Sequence, residues 1–273
     1  MNIRTDLVTE IKAEKQKNLD GVEIIEESLK NITLSIIKIT NDSASKIFKK
    51  PKGTYCTISF PRLDFLSDTK TIIDLTVKAL KLITNNVESA LVVGLGNTDI
   101  TPDALGPIVC DRVLATRHLN QKLKSDLGLQ KLKSVCCIIP GVLGKTGIES
   151  YDLITNTVNK IKPDLIIAVD ALACRETERL CRTIQIADSG ISAGSGVNNA
   201  RKALSYDTIG IPVIAIGVPT VIDANSFFNT SENMMVTPKE IDLLVEKSAD
   251  ILSRALNAFL QPDIDIDIIE SLT

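Results

Sequence analysis

The chain has 273 residues, 44% of them hydrophobic, which is enough for one large domain with a sizeable core. Its net charge of -3 with no basic cluster argues against a nucleic-acid surface. No apolar run approaches the roughly 18 residues a membrane span requires.

Aromatics make up 3% and Trp is absent, so the core has to be built from Ile, Leu, Val and Ala. Such aliphatic richness suits parallel strands covered by helices on both faces. The amino terminus has no signal-peptide apolar stretch, and the expected location is the cytosol. Cys56, Cys110, Cys136, Cys137, Cys174 and Cys181 lie mostly in apolar runs, where reduced thiols behave as small hydrophobes. With no CxxC pair and His118 as the sole histidine, a Cys/His zinc site is not expected.

Val22–Ile25 and Ile32–Ile39 read as strands, the second alternating well enough to be half exposed. Lys49–Gly53 is a turn, and Tyr55–Phe60 is a strand stopped by Pro61. Apolar residues at Ile72, Ile73, Leu75, Ala79, Leu80 and Ile83 predict a helix over Thr69–Asn85. A strand follows at Ala90–Leu95. Thr101 reads as an N-cap with Pro102 at the first helical position, the helix running through Leu105, Val109 and Val113. Next come a strand at Ser134–Ile139, a helix near Glu149–Ile161, and strands at Leu165–Val169 and Thr183–Ile186. After a Gly/Ser-rich loop, Pro212–Gly217 reads as the last strand. Thr237 caps and Pro238 starts a long helix that ends near Phe259. The tail Pro262–Ile269 alternates acid and apolar residues, as an edge strand or a frayed end would.

The alternation from residue 69 onward predicts an α/β fold: a three-layer sandwich with a mostly parallel sheet, helices on both faces and right-handed crossovers. The amino-terminal strands extend this sheet or flank it. The whole of 1–273 reads as a single domain, with 1–60 carrying the extra strands and 69–260 the core.

Two acids follow apolar, β-branched runs: Asp103, in Leu91-Val-Val-Gly-Leu-Gly-Asn-Thr-Asp-Ile-Thr-Pro-Asp103, and Asp170, after Leu165–Val169. Each is expected at the carboxyl end of a buried strand, the edge where open parallel sheets bind ligands. Two carboxylates brought together there can share a proton and act on an amide. Each also has a structural use: Asp103 would stabilise a helix dipole, and Asp170 would tie down a neighbouring loop. Asp99 and Asp111 are nearby competitors, Asp111 more than two helical turns past Asp103.

Gly94-Leu-Gly96 begins like a dinucleotide fingerprint, but the third glycine would fall at Asp99. Gly141-Val-Leu-Gly-Lys-Thr-Gly147 is too short for a phosphate-binding loop, since the first required glycine falls at Ile139. A turn lining the sheet's carboxyl edge is the better reading, with Lys145 facing a substrate acid. In the glycine-rich loop Ile186–Arg201, backbone amides can bind an extended peptide or an anion. Ser195 there does not form a nucleophile elbow, and His118 is distant, which argues against a Ser-His-Asp triad.

These stretches together resemble the bacterial spore germination protease family. The matching pieces are Arg4–Leu7, Gly94–Asn97, Thr101–Pro107, Pro140–Gly144 with Thr146–Glu149, Ile167–Ala173, Thr183–Ile186, Gly194–Val197, Gly210–Val221 and Met235–Asp242. The resemblance implies a cytoplasmic endopeptidase of the forespore and spore core that degrades small acid-soluble spore proteins during germination. It further implies a zymogen trimmed at its amino terminus and a homotetramer. Asp103 and Asp170 are the implied aspartic-type catalytic pair, with no metal or other cofactor. Because four residues precede Thr5, any prosegment is expected to be very short or lost. The loops 141–147 and 188–201 are expected to cradle the peptide, with Lys145, Thr146, Ser195 and Arg201 as substrate-binding residues. Substrates of this family are cut beside acidic residues, so Lys145 or Arg201 would pair with them.

A more distant likeness is to hydrogenase maturation endopeptidases, where the corresponding acids bind nickel with help from a histidine; His118 lies in the wrong stretch for that. The competing readings are therefore a metal-assisted peptidase using the same acids, and a non-enzymatic nucleotide-binding α/β module. No direct nucleic-acid or membrane contact is expected.

Overall fold

The computed structural model describes residues 5–13, 19–63, 69–84, 86–126, 129–191, 202–227, 234–265 and 268–269. After a short helix α1 (Val8–Ala13), β1 (Val22–Leu29) and β2 (Ile32–Ile39) form an antiparallel hairpin. α2 (Asp42–Phe48) is capped by Asn41, whose side chain accepts from the Ala44 N–H at 2.8 Å. β3 (Gly53–Ser59) pairs with β2, and α3 (Lys70–Ile83) follows. The chain then alternates: β4 (Ser89–Gly94), α4 (Leu105–Asp111), α5 (Gln121–Asp126), β5 (Ser134–Ile138), α6 (Leu143–Thr146), α7 (Ser150–Ile161) and β6 (Leu165–Cys174). It finishes with β7 (Thr183–Ala187), α8 (Tyr206–Ile209), β8 (Val213–Asp223), β9 (Met235–Val236) and α9 (Ile241–Leu260).

The strands form one sheet in the order β1-β2-β3-β7-β8-β6-β4-β5, with β9 on β8. Only β8, β6, β4 and β5 run parallel to one another. The pairs β1–β2, β2–β3, β3–β7, β7–β8 and β8–β9 are antiparallel. The sheet is therefore mixed rather than mostly parallel. The reason lies in the links. The β1–β2 hairpin is tight, β2 and β3 pair antiparallel although α2 lies between them, and β6 reaches β7 through Arg175–Arg182, which carries one 3₁₀ turn and no helix. A parallel crossover needs about a dozen residues or more, usually with a helix, so β7 returns antiparallel. The amino-terminal strands do extend the main sheet.

β4 shows how both faces are covered. Ala90 and Val92 point into a core with Leu80 of α3, Val109 of α4 and Leu252 of α9, whereas Leu91 and Val93 pack with Ile154 and Val158 of α7. Each such buried aliphatic side chain contributes roughly 1.5–3 kcal/mol relative to exposure. α9 supplies Leu244, Val245, Ile251, Leu252 and Leu256 to the first core. It starts at Ile241 and not at Pro238; Thr237 is no cap, because its hydroxyl donates to the Thr220 carbonyl at 2.8 Å.

All six cysteines are free, and Cys56, Cys110, Cys174 and Cys181 are buried. Burial pushes the Cys56 and Cys181 thiols up to about 12. Among the described residues, no helix is long and apolar enough to cross a membrane.

Candidate functional site

The site is built where β4 ends and α4 begins. Gly94 and Gly106 let these backbones touch: a Cβ on Gly94 would lie 2.7 Å from the Gly106 carbonyl carbon, and one on Gly106 would lie 2.6 Å from the Leu95 nitrogen. The glycines serve packing of the chain against itself, which is why they do not extend into a dinucleotide fingerprint. Gly96 takes φ +121°, and the Asp103 carbonyl occupies the space a side chain there would need.

Asp103 belongs to a 3₁₀ turn, Thr101–Asp103, separate from α4. Thr101 makes no cap; the residue before the turn is Ile100, and α4 stops at Asp111, short of Val113. Pro107 explains the break. It has no N–H to donate back to the Asp103 carbonyl, and that carbonyl instead accepts from Asn97 N–H at 3.1 Å.

Asp170 does not end its strand. β6 continues four residues past it to Cys174, paired there with β8 alone. β4 stops opposite Val169, so Asp170 is the first residue of β6 beyond the edge of β4. Its partner on β8 is Gly217, and its Oδ1 accepts from Ala171 N–H at 2.9 Å. Leu95 N–H donates to the Val169 carbonyl at 2.8 Å, just before Asp170. The two amides that hold Val169 and Asp103, those of Leu95 and Asn97, are thus separated by at most about 7 Å of chain.

Both aspartates are half-buried and line one open groove of about 1020 Å³. Its walls include Asn97, Gly141, Val142 and Ser150, with the Ser150 hydroxyl donating to the Gly141 carbonyl at 2.9 Å. Ser189, Gly190 and Asp207 line it from the side of β7 and α8. Tyr55, pushed up to about 12 by burial, lines it with Lys49 and Lys50.

Lys145 and Thr146 are exposed on α6, at the rim and outside the lining. Lys145 pairs with Asp99 at 2.6 Å and holds that carboxyl below the usual range. The pair ties the 141–147 turn to the Asn97–Asp99 turn. The Thr146 hydroxyl accepts from Ile148 N–H at 3.1 Å. Ser195 and Arg201 lie outside the described residues. His118 and Asp111 are exposed and are not among the lining residues. Among the described residues, no group of three or more His, Cys, Asp or Glu is arranged to hold a metal ion.

Three groove residues have no signal in local pattern: Asp6, Gln185 and Thr220. Asp6 sits in the quoted Arg4–Leu7 stretch, but its role depends on contacts with β6 and β7. The Asp6 carbonyl accepts from Gln185 Nε2 at 2.8 Å and from Lys50 Nζ at 2.9 Å. Gln185 Oε1 in turn accepts from Val8 N–H at 2.8 Å.

Residues 2–232 match the sequence model of the germination proteases. The chain belongs to the germination protease family. It is 38% identical to the germination protease of Caldanaerobacter subterraneus subsp. tengcongensis, over 96% of this chain and 95% of that one. It is 37% identical to that of Clostridium tetani, over 99% of both, and 34% identical to that of Priestia megaterium, over 97% and 95%. Family membership makes the chain a peptidase of spore germination. Among solved structures, it is similar to the [NiFe] hydrogenase maturation protease HycI from Thermococcus kodakarensis KOD1, at 20% identity and a TM-score of 0.39, over 65% of this chain and 98% of that one.

Proposed function

We propose that this germination protease is an endopeptidase that degrades small acid-soluble spore proteins, with Asp103 and Asp170 as its catalytic pair. The observation that carries the reading is the shared groove: two half-buried carboxylates from distant parts of the chain line one open cleft beyond the carboxyl end of β4. In this reading the two carboxylates come close enough in the working enzyme to share a proton, one ionised and the other protonated. In this mechanism the ionised aspartate draws a proton from water, and the water oxygen attacks the scissile carbonyl. The protonated aspartate donates to the carbonyl oxygen as charge develops there. Collapse breaks the C–N bond and returns a proton to the leaving amine.

The groove's openness suits an extended peptide. The 141–147 turn forms part of its wall, and Lys145 and Thr146 would meet the polypeptide flanking the cut; by the family resemblance Ser195 and Arg201 are further proposed substrate-binding residues. By resemblance to its family, the enzyme is also expected to be a cytoplasmic zymogen and a homotetramer.

The test is incubation with a purified small acid-soluble spore protein, followed by mass spectrometry. Discrete internal cleavages support the reading; a substrate that stays intact speaks against it.

A further inference from the structure

The β6–β8 pairing contains an irregularity beside the groove. Residues match one to one from Ile166–Val213 to Leu172–Pro219, and then Ala173 lies opposite Val221. Thr220 is the extra residue. Bulges are rare in parallel pairs, and where they occur beside a site they re-aim the residues around them.

Both sides of this bulge are tied down. Thr220 is 1% exposed, and its hydroxyl donates to the Pro102 carbonyl at 2.6 Å. Pro102 is the residue before Asp103. The carbonyl of Thr220 is held by the Thr237 hydroxyl. On the other edge of β6, the place left open where β4 stops is taken by Asp6. Its N–H donates to the Ala173 carbonyl at 2.9 Å, and its Oδ2 accepts from Ala173 N–H at 2.8 Å. β6 is therefore gripped at Val169 by Leu95 and at Ala173 by Asp6, and Asp170 lies between the two grips.

We propose that this bulge is the device that sets the spacing of the two aspartates, with Thr220 and Asp6 as positioning residues. Thr220 fixes the turn that carries Asp103, and Asp6 fixes the strand that carries Asp170. The bulge joins the two, so a change on either side alters the distance between the carboxylates. This inference rests on the reading of Asp103 and Asp170 as a proton-sharing pair.

The test compares Thr220→Val, Thr220→Ser and Asp6→Ala with the unaltered enzyme, using cleavage of a small acid-soluble spore protein. Thr220→Val keeps the side-chain shape and removes the hydroxyl. It should lower kcat about tenfold or more while KM stays within about threefold, because a small displacement is felt mainly in the transition state. Thr220→Ser keeps the hydroxyl and should restore kcat to within about threefold. The pH profile of kcat separates positioning from packing: carboxylates moved apart interact less, so its two limbs should draw closer together. Asp6→Ala acts from the opposite side and should give the same signature even if Thr220→Val does not fold. Unaltered kcat and an unaltered pH profile in Thr220→Val or Asp6→Ala would overturn the proposal, as would loss of melting temperature with the profile unchanged. Asp103→Asn is measured alongside. If it is inactive while the bulge variants behave normally, the bulge proposal alone fails; if it is fully active, the pair itself fails.

Discussion

Replacing Gly106 by alanine should push the first turn of α4 away from the sheet and take Asp103 with it. The added Cβ would sit 2.6 Å from the Leu95 nitrogen, with the Leu95 and Val169 carbonyl oxygens also in its way. Non-bonded heavy atoms settle at about 3.5–4.0 Å, so the backbones must separate by about 1 Å. β4 and β6 are central strands hydrogen-bonded on both sides, so α4 is the element that gives way. Overpacking of this kind costs about 1–3 kcal/mol. The better helix propensity of alanine offsets roughly 0.5–1 kcal/mol of it. The net loss is about 0–2.5 kcal/mol. The effect on catalysis is larger, because a misplacement of about 1 Å can cost on the order of 100-fold.

Urea denaturation should therefore show a lower midpoint at unchanged slope for Gly106→Ala, and steady-state cleavage should show a collapse in kcat. Gly144→Ala is the control. Nothing lies within 4 Å of a Cβ built there, so the urea midpoint should hold. A Gly106→Ala enzyme with normal midpoint and normal kcat would refute the close-packed turn as the element that positions Asp103.

Three further outcomes follow from the same contacts. The Cys56 and Cys181 thiols are raised from an ordinary 9.0 to about 12. The stability they contribute is fully present below pH 9.0 and is lost as pH rises toward 12; urea midpoints that stay flat across that interval would contradict this. Glu10 is fully buried and accepts from the Arg175 and Glu176 N–H groups at 2.8–3.0 Å. Glu10→Gln should cost about 1.5–3 kcal/mol of stability with kcat unchanged, by chemical denaturation and steady-state kinetics. Lys145→Ala breaks an exposed pair with Asp99 and should leave the melting temperature unmoved while raising KM and sparing kcat. A fall in kcat at constant KM would place Lys145 nearer the chemistry than its rim position suggests.

β4 and β5 could be read from sequence because each is a short aliphatic run followed by turn residues, whereas β8 runs on to Asp223, past the Gly217 at which its aliphatic pattern pauses. The two aspartates stood out because they follow such runs. The length of β6 could not be read. Asp170 interrupts the β-branched pattern, and the strand resumes only because Ala171–Cys174 pairs with β8 and is clamped by Asp6, a contact spanning 167 positions. The direction of β7 was hidden for a related reason: a strand's hydrophobic pattern does not encode its orientation, which here follows from a link without a helix. The Thr101-Pro102 pair has the chemistry of a helix start, and only Pro107, five residues later, separates it from α4. Thr220 and Gln185 act through single side chains reaching distant backbone, which no local periodicity reports.

The central claim is tested most directly by the cleavage rates of Asp103→Asn and Asp170→Asn, each measured beside its melting curve. Asparagine keeps the shape and removes the titrating proton. The account predicts that both variants melt like the unaltered protein and leave a small acid-soluble spore protein uncut. A variant of either residue that cuts at the full rate would contradict it.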